Sequence, residues 1–406
     1  MTYLVYGVSG AAFFTSAYLL IFRKNRPASA FLFAVAVKAL AAGIAFCGAA
    51  GGAQAYAACL GALCAGVFAF AAAAARHGRS SAVLPVLLAV VLAHFFQGCG
   101  GGIRLVPQVS AETETGFVPA RLTAAGKGEV YVGAANEKNV YLFSLKEKKK
   151  LKAIPAGYGP GRILARGNMI FIANEKNASV TLYNQALDTA ESIDCGGEYP
   201  FDLEYNQAKD LLYVSNTGSG NVAVISVRAR AVKNKIQTGK WPSGLYLTPD
   251  ARHLYVACKY TNTVQMIDTE NERMLFTKID AGVSPVQLVP LGSGRIAIIN
   301  EWEYSFNQKS SILLFDTGDY SIKSAIGTEG GIEHAVLSKS RKFMYVSVPL
   351  KDKVIFIDME KGRVDHSIYL RNAVPKWLAL SRDGSELYVS APNAGRIYTI
   401  ELNGYM

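Results

Sequence analysis

The residues of this chain best suited to chemistry recur at one position of a repeat. Two residues past a recurrent proline (Pro119, Pro160, Pro200, Pro242, Pro285, Pro375) stand Arg121, Arg162, Asp202, Gly244, Gln287 and Trp377. One further copy lacks the proline, carries Gly331-Ile332-Glu333-His334 in its place and puts Ala335 at the matching position. These positions vary while their surroundings repeat, as expected of a site laid on a fixed frame. Arg121, Arg162, His334 and Lys376 gathered at one opening would make it electropositive and suited to an anionic ligand. The plainer alternative is an ordinary solvated rim. His334 with Glu333 or Glu301 could form a general base or a metal pair, whereas a lone solvent-facing histidine does neither.

A second candidate is the stretch Glu301-Trp302-Glu303-Tyr304-Ser305-Phe306-Asn307-Gln308. Three aromatics and two carboxylates in an exposed loop suit recognition, because aromatic rings supply rigid contact area. They could equally cover the unit that carries them. No Cys-x-x-Cys-His haem motif, paired-histidine metal motif or Gly-x-Ser-x-Gly nucleophile turn occurs. No catalytic residue, metal set or cofactor is assigned.

These residues need a frame, and the sequence repeats one. The stretch Trp241 to Ile279 reads as four short strands, with a turn at Pro249-Asp250-Ala251 between the first two. An aromatic in the second strand marks the copies at Tyr131, Phe171, Tyr213, Tyr255, Tyr345 and Tyr388, with Ala297 in the equivalent place. Successive spacings are 40, 42, 42, 42, 48 and 43 residues. A branched residue opens the third strand nine residues later in six copies and fifteen later in the fifth, so the extra length lies in the Glu301 loop. Four strands at such a period make a β-propeller blade. The expected fold is all-β, a seven-bladed propeller of four-stranded blades. The loops entering the first strands and those joining second to third strands then share one end of the central channel. The last copy ends after its third strand, so Ile103 to Val109 is expected to supply the missing strand and close the ring.

The segments LYVSN (212–216), LYVAC (254–258), MYVSV (344–348) and LYVSA (387–391), each followed by a VxxID-like strand, resemble the YVTN β-propeller repeat family of bacteria and archaea. The resemblance covers roughly residues 104 to 402 and is specific for fold. It implies little about function, since propellers of similar architecture include binding modules and enzymes, among them lactone hydrolases and cofactor-dependent dehydrogenases.

The first 99 residues differ in kind. They contain six Lys or Arg and no acidic residue, so the chain's net charge of +11 divides into +6 there and +5 beyond. Tyr3 to Phe22, Ala28 to Cys47 and Ala55 to Ala75 are apolar runs of about 20 residues, long enough to span a bilayer as helices. Basic loops after the first and third runs put those loops on the cytoplasmic side, and the propeller outside. The run Ala82 to Phe96 is either a fourth helix or a secretory signal ending in a loose lipoprotein box, with Cys99 acylated. Lys38, inside the second run, has no acidic partner among these residues. The expected organisation is membrane helices and signal-like segment over 1–98, a Gly-rich linker over 99–103 and the propeller over 104–406. Only Cys195 and Cys258 fall in the propeller, and the repeat register separates them. Nucleic acid is a poor partner, because the propeller's excess charge is small and Lys146 to Lys152 lies at a solvated turn. The functional expectation is a membrane-tethered, extracytoplasmic binding or scaffold module in a bacterial cell membrane. Its ligand would be a protein, a glycan or a small anion at the mouth. The alternative is a propeller enzyme with its site at the same mouth.

Overall fold

The computed structural model describes residues 106–301, 311–328 and 331–406. The apolar runs of 1–98, Lys38 and Cys99 lie outside these residues. Among the described residues no helix is long and apolar enough to cross a membrane.

The described chain forms seven four-stranded antiparallel sheets, the blades of a propeller. Blade 4 is representative, with strands Pro242–Leu247, His253–Cys258, Thr263–Asp268 and Arg273–Asp280. The first strands touch in sequence around a ring that closes from blade 7 to blade 1. Second strands have neighbours on both faces, so they are apolar and buried. All six residues of Leu211–Asn216 are buried, whereas the outer strand Ala231–Gln237 is largely open.

The core is divided into seven apolar seams, one at each junction between adjacent blades. The marker residues of the repeat supply them. Tyr213 of blade 3 packs with Leu245, Leu254 and Val256 of blade 4. Tyr388 of blade 7 packs with Val130 and Val132 of blade 1. The serine of the repeat adds a polar staple. Ser215 Oγ accepts from the Asp202 N–H at 3.0 Å and donates to the carbonyl of Ser243 in the next blade at 2.7 Å. Ser347 Oγ accepts from His334 N–H at 3.1 Å and donates to the Lys376 carbonyl of the next blade at 2.5 Å. The asparagine of LYVSN ties its own loop, with Asn216 Nδ2 donating to Cys195 O and Asn221 Oδ1.

Blade 7 takes its outer strand from the other end of the described chain. Gln108–Glu114 pairs with Arg396–Glu401, and Arg396 holds Glu112 and Glu114 with separate nitrogens. The strand thus lies at 108–114, downstream of the expected 103–109. The displacement has a physical reason. Five of the outer strands bury their next-to-last residue, at Ile154, Ile193, Ile236, Ile326 and Ile368, with the equivalent Ile279 of blade 4 partly buried. In the closing strand that anchor is Thr113, six residues before Pro119 as Ile154 is six before Pro160. A polar anchor hides the register from hydrophobicity, and the more apolar IRLVPQV attracts the assignment.

Cys195 and Cys258 are separate buried thiols, and burial pushes each up to about 11.

Candidate functional site

Strand pairing fixes which end of the channel carries the variable residues. The prolines sit opposite the last residue of the second strand, as in Pro160 with Asn174, Pro200 with Asn216 and Pro285 with Asn300. The entering loops and second-to-third loops therefore share one end, here called the mouth. A cavity of about 880 Å³ occupies the channel and is lined from all seven blades. Of the candidates read from the sequence, it brings together Arg121, Arg162, Asp202, Gln287, Glu301, His334 and Trp377. Lys376 is half-buried beside this lining, and Trp302 and Tyr304 lie outside the described residues. Phe201, Trp241 and Lys259 also line the cavity and were not singled out by sequence. Phe201 directly follows Pro200 and Trp241 directly precedes Pro242, so neither holds the position two past the proline.

A column of stacked groups crosses the mouth. The Arg121 guanidinium of blade 1 lies 4.0 Å from the centroid of Phe201 in blade 3 and 4.0 Å from that of Trp377 in blade 7. Trp377 packs in turn against His334 of blade 6, centroids 4.4 Å apart and planes tilted by 54°. Arg121 Nη1 donates to the Phe201 carbonyl at 2.8 Å, and Nη2 pairs with Glu175 of blade 2 at 3.1 Å. Glu175 reaches it over Gly161, where a Cβ would stand 2.5 Å from the carboxylate oxygen. Arg121 is 6% exposed, and a planar cation between two rings is strongest where water is excluded.

Other members of the same register join blades. Asp202 Oδ2 accepts from Leu245 N–H of blade 4 at 2.9 Å. Gln287 accepts from Ala335 N–H of blade 6 at 2.8 Å and donates to its carbonyl at 2.9 Å. His334 Nδ1 accepts from Leu378 N–H of blade 7 at 3.3 Å. At Gly244 the neighbouring backbone comes closer still, and a Cβ would meet Gln287 Cα at 2.7 Å.

The mouth is charge-balanced rather than electropositive. Arg162 Nε lies 3.0 Å from Asp202 Oδ1, an ion pair whose N–H is not aligned for a hydrogen bond. Lys259 pairs with Glu301 at 2.5 Å. His334 is a neutral ring: burial, then Arg162 and Arg121, hold it well below its ordinary value. Its Nε2 lies 3.3 Å from Gln287 Nε2, so both ring nitrogens face neighbouring nitrogen atoms. Glu333 is raised above the usual carboxylate range by burial and by Glu301, against the opposing charges of Lys376, Arg121 and Lys259. Among the described residues no group of three or more His, Cys, Asp or Glu is arranged to hold a metal.

Aromatic faces border the opening. Trp241 and Tyr260 pack with centroids 5.0 Å apart and planes tilted by 39°, and remain 37% and 55% exposed. Trp241 holds φ at 60° directly before Pro242, a left-handed geometry repeated before other prolines at Tyr199, Ser284 and Val374. The recurrence makes it a property of the entering turn, fixed at Trp241 by the hydrogen bond from Lys259 N–H to its carbonyl at 3.0 Å.

The family described as lactonase, 7-bladed beta-propeller, matches residues 125–288, from the first strand of blade 1 to that of blade 5. Over 246 residues the chain is 26% identical to Antigen Lp49 of Leptospira interrogans serogroup Icterohaemorrhagiae serovar copenhageni (strain Fiocruz L1-130). That match covers 60% of this chain and 44% of the antigen, so it spans less than half of the relative's length. Among solved structures, a chain of Kuenenia stuttgartiensis hydrazine synthase superposes with a TM-score of 0.61 at 13% identity, covering 74% of this chain and 98% of that one. A chain of a mitotic checkpoint complex superposes with a TM-score of 0.62 at 15% identity, covering 72% and 91%. At these identities the likeness is one of fold alone.

Proposed function

We propose that this chain is a binding module, a YVTN-type propeller held to a bacterial membrane by its 1–98 segment and facing away from the cytoplasm. Its ligand is a glycan or a protein segment that lies on the aromatic faces at the mouth. The carrying observation is the Arg121 column with the Trp241–Tyr260 pair beside it: rigid rings, with neighbouring cations already neutralised by Glu175, Asp202 and Glu301. Such a surface suits neutral, flat-faced groups better than a small anion. The likeness to a protein named as an antigen supports a location where other molecules reach it.

The test is a glycan and peptide array probed with the full chain in detergent, followed by titration of the best ligand against Trp241→Ala and Tyr260→Ala. Loss of binding in both variants, with thermal midpoints retained, supports the reading. Undiminished binding overturns it.

A second reading, hydrolysis of a lactone, draws on the family match over 125–288 and on Glu333, whose carboxyl burial raises above its ordinary value beside the channel. Lactone turnover by the full chain that is lost in Glu333→Gln would favour it over the binding module.

A further inference from the structure

At the mouth Arg121, Arg162 and Lys259 are each paired with a carboxylate; at the opposite end of the channel the cations have no ion pair among the described residues. The first strand of blade 2 ends there at Arg166, and the short first strands of blades 6 and 7, His334–Leu337 and Leu378–Leu380, lead into turns carrying Lys339 and Arg382. All three line the same cavity as the mouth residues and are exposed. Arg166 donates to the carbonyl of its neighbour Ala165 at 3.1 Å, and among the described residues none of the three takes part in an ion pair. Lys127, in the corresponding turn of blade 1, completes an arc of four adjacent blades.

The nearby acids neutralise this arc only in part, Glu204 acting on Arg166 and Asp383 on Lys127. Asp383 turns inward on its own loop, accepting from Ser381 Oγ, Ser385 N–H and Ser385 Oγ at 2.7, 3.1 and 2.8 Å. Glu204 lines the cavity two residues further from the mouth than Asp202, and its carboxyl has no hydrogen bond or ion pair among the described residues. Burial and the Asp202 charge push it up to about 7 against the opposing charges of Arg162 and Arg166, so near neutral pH it carries a partial charge.

We propose that the far opening of the channel binds a small multivalent oxyanion through Arg166, Lys339 and Arg382, independently of what the mouth binds. Two guanidinium forks and an ammonium offer more donors than a monovalent halide can use, and they match an oxyanion with several acceptor oxygens. The cavity wall gives such an anion a lower dielectric than open solvent, which strengthens the attraction.

The experiment is calorimetric titration of the full chain in detergent with inorganic phosphate and with sulfate, at ionic strength fixed by sodium chloride. Either anion should bind above the chloride background, and Arg382→Gln and Lys339→Gln should each weaken it by about tenfold. Lys146→Gln, which removes one exposed charge from an outer turn of blade 1, should leave the affinity unchanged. These side chains are exposed, so thermal midpoints without anion should match the parent and separate lost binding from lost fold. No binding above chloride, or equal weakening in Lys146→Gln, overturns the proposal. So does binding to vesicles containing phosphatidic acid without binding to the inorganic anions, which would make the basic arc a contact for a lipid surface.

Discussion

Arg121 and Phe201 meet across the channel although a whole blade separates theirs in the ring. The guanidinium donates to the Phe201 carbonyl at 2.8 Å and lies 4.0 Å from its ring centroid. With Glu175, Trp377 and His334 in the same assembly, blades 1, 2, 3, 6 and 7 are tied at the mouth by one side chain and its immediate contacts.

Arg121→Lys keeps the charge and loses the planar fork. It should lower unfolding stability by roughly 2–3 kcal/mol, because an ammonium cannot fill the sandwich while reaching both Glu175 and the Phe201 carbonyl. Urea denaturation followed by tryptophan fluorescence measures it, and a change within error would show that the column is ornamental to the fold.

Ser215→Ala and Ser347→Ala each remove a hydroxyl that joins one blade to the next. Each should cost about 1–2 kcal/mol, since a backbone N–H and a carbonyl lose their shared partner. The two lie in different seams, so the double variant should show roughly the sum. A double variant no worse than either single one would contradict independent seams.

Thr113→Val exchanges a buried hydroxyl for a methyl at the anchor of the closing strand. Among the described residues Thr113 Oγ1 has no hydrogen-bond partner, and the other outer strands described place isoleucine there. The substitution should stabilise the domain by about 1 kcal/mol. A lower thermal midpoint would mean that the hydroxyl has a partner in solution.

Glu204 gives the pH dependence its sign. Its ordinary value is 4.5 and the folded value is about 7, raised first by burial, then by Asp202, with Arg162 and Arg166 acting the other way. The folded form therefore holds the proton more tightly. The associated stability is complete below about 4.5 and is lost as pH rises through 7. Glu204→Gln should flatten this fall and leave the variant more stable than the parent at pH 8, by about 1–3 kcal/mol. Denaturant titrations at pH 5, 6, 7 and 8 test it, and parallel curves for the two proteins would refute it.

The blade count was legible because a period near 42 residues leaves few alternatives, and each marker aromatic sits in the seam that the repeat requires. The mouth was legible too, since the proline register fixes which loops share an end. What Asp202, Gln287 and His334 do there was not. Their partners are backbone amides of the following blade, about 40 residues on, and no spacing rule encodes such a bond. The charges of Arg121 and Arg162 were visible, but their neutralisation by Glu175 and Asp202 depends on which side chains turn inward. The far-end cations were illegible for a simpler reason: they lie at or beside first-to-second turns, where a basic residue looks like ordinary solvated punctuation.

The closing strand also sets a timetable. Glu112 leaves the ribosome 284 residues ahead of Arg396, its eventual partner. At typical rates of synthesis that is a wait of roughly 15–60 s. Until the last blade arrives, six blades can stack but the ring has two raw ends, each a sheet edge open to pairing with another chain. The vulnerable species for this protein is therefore the nearly finished chain, and a truncation a few residues short of Arg396 should be more prone to aggregate than one that stops cleanly after an earlier blade.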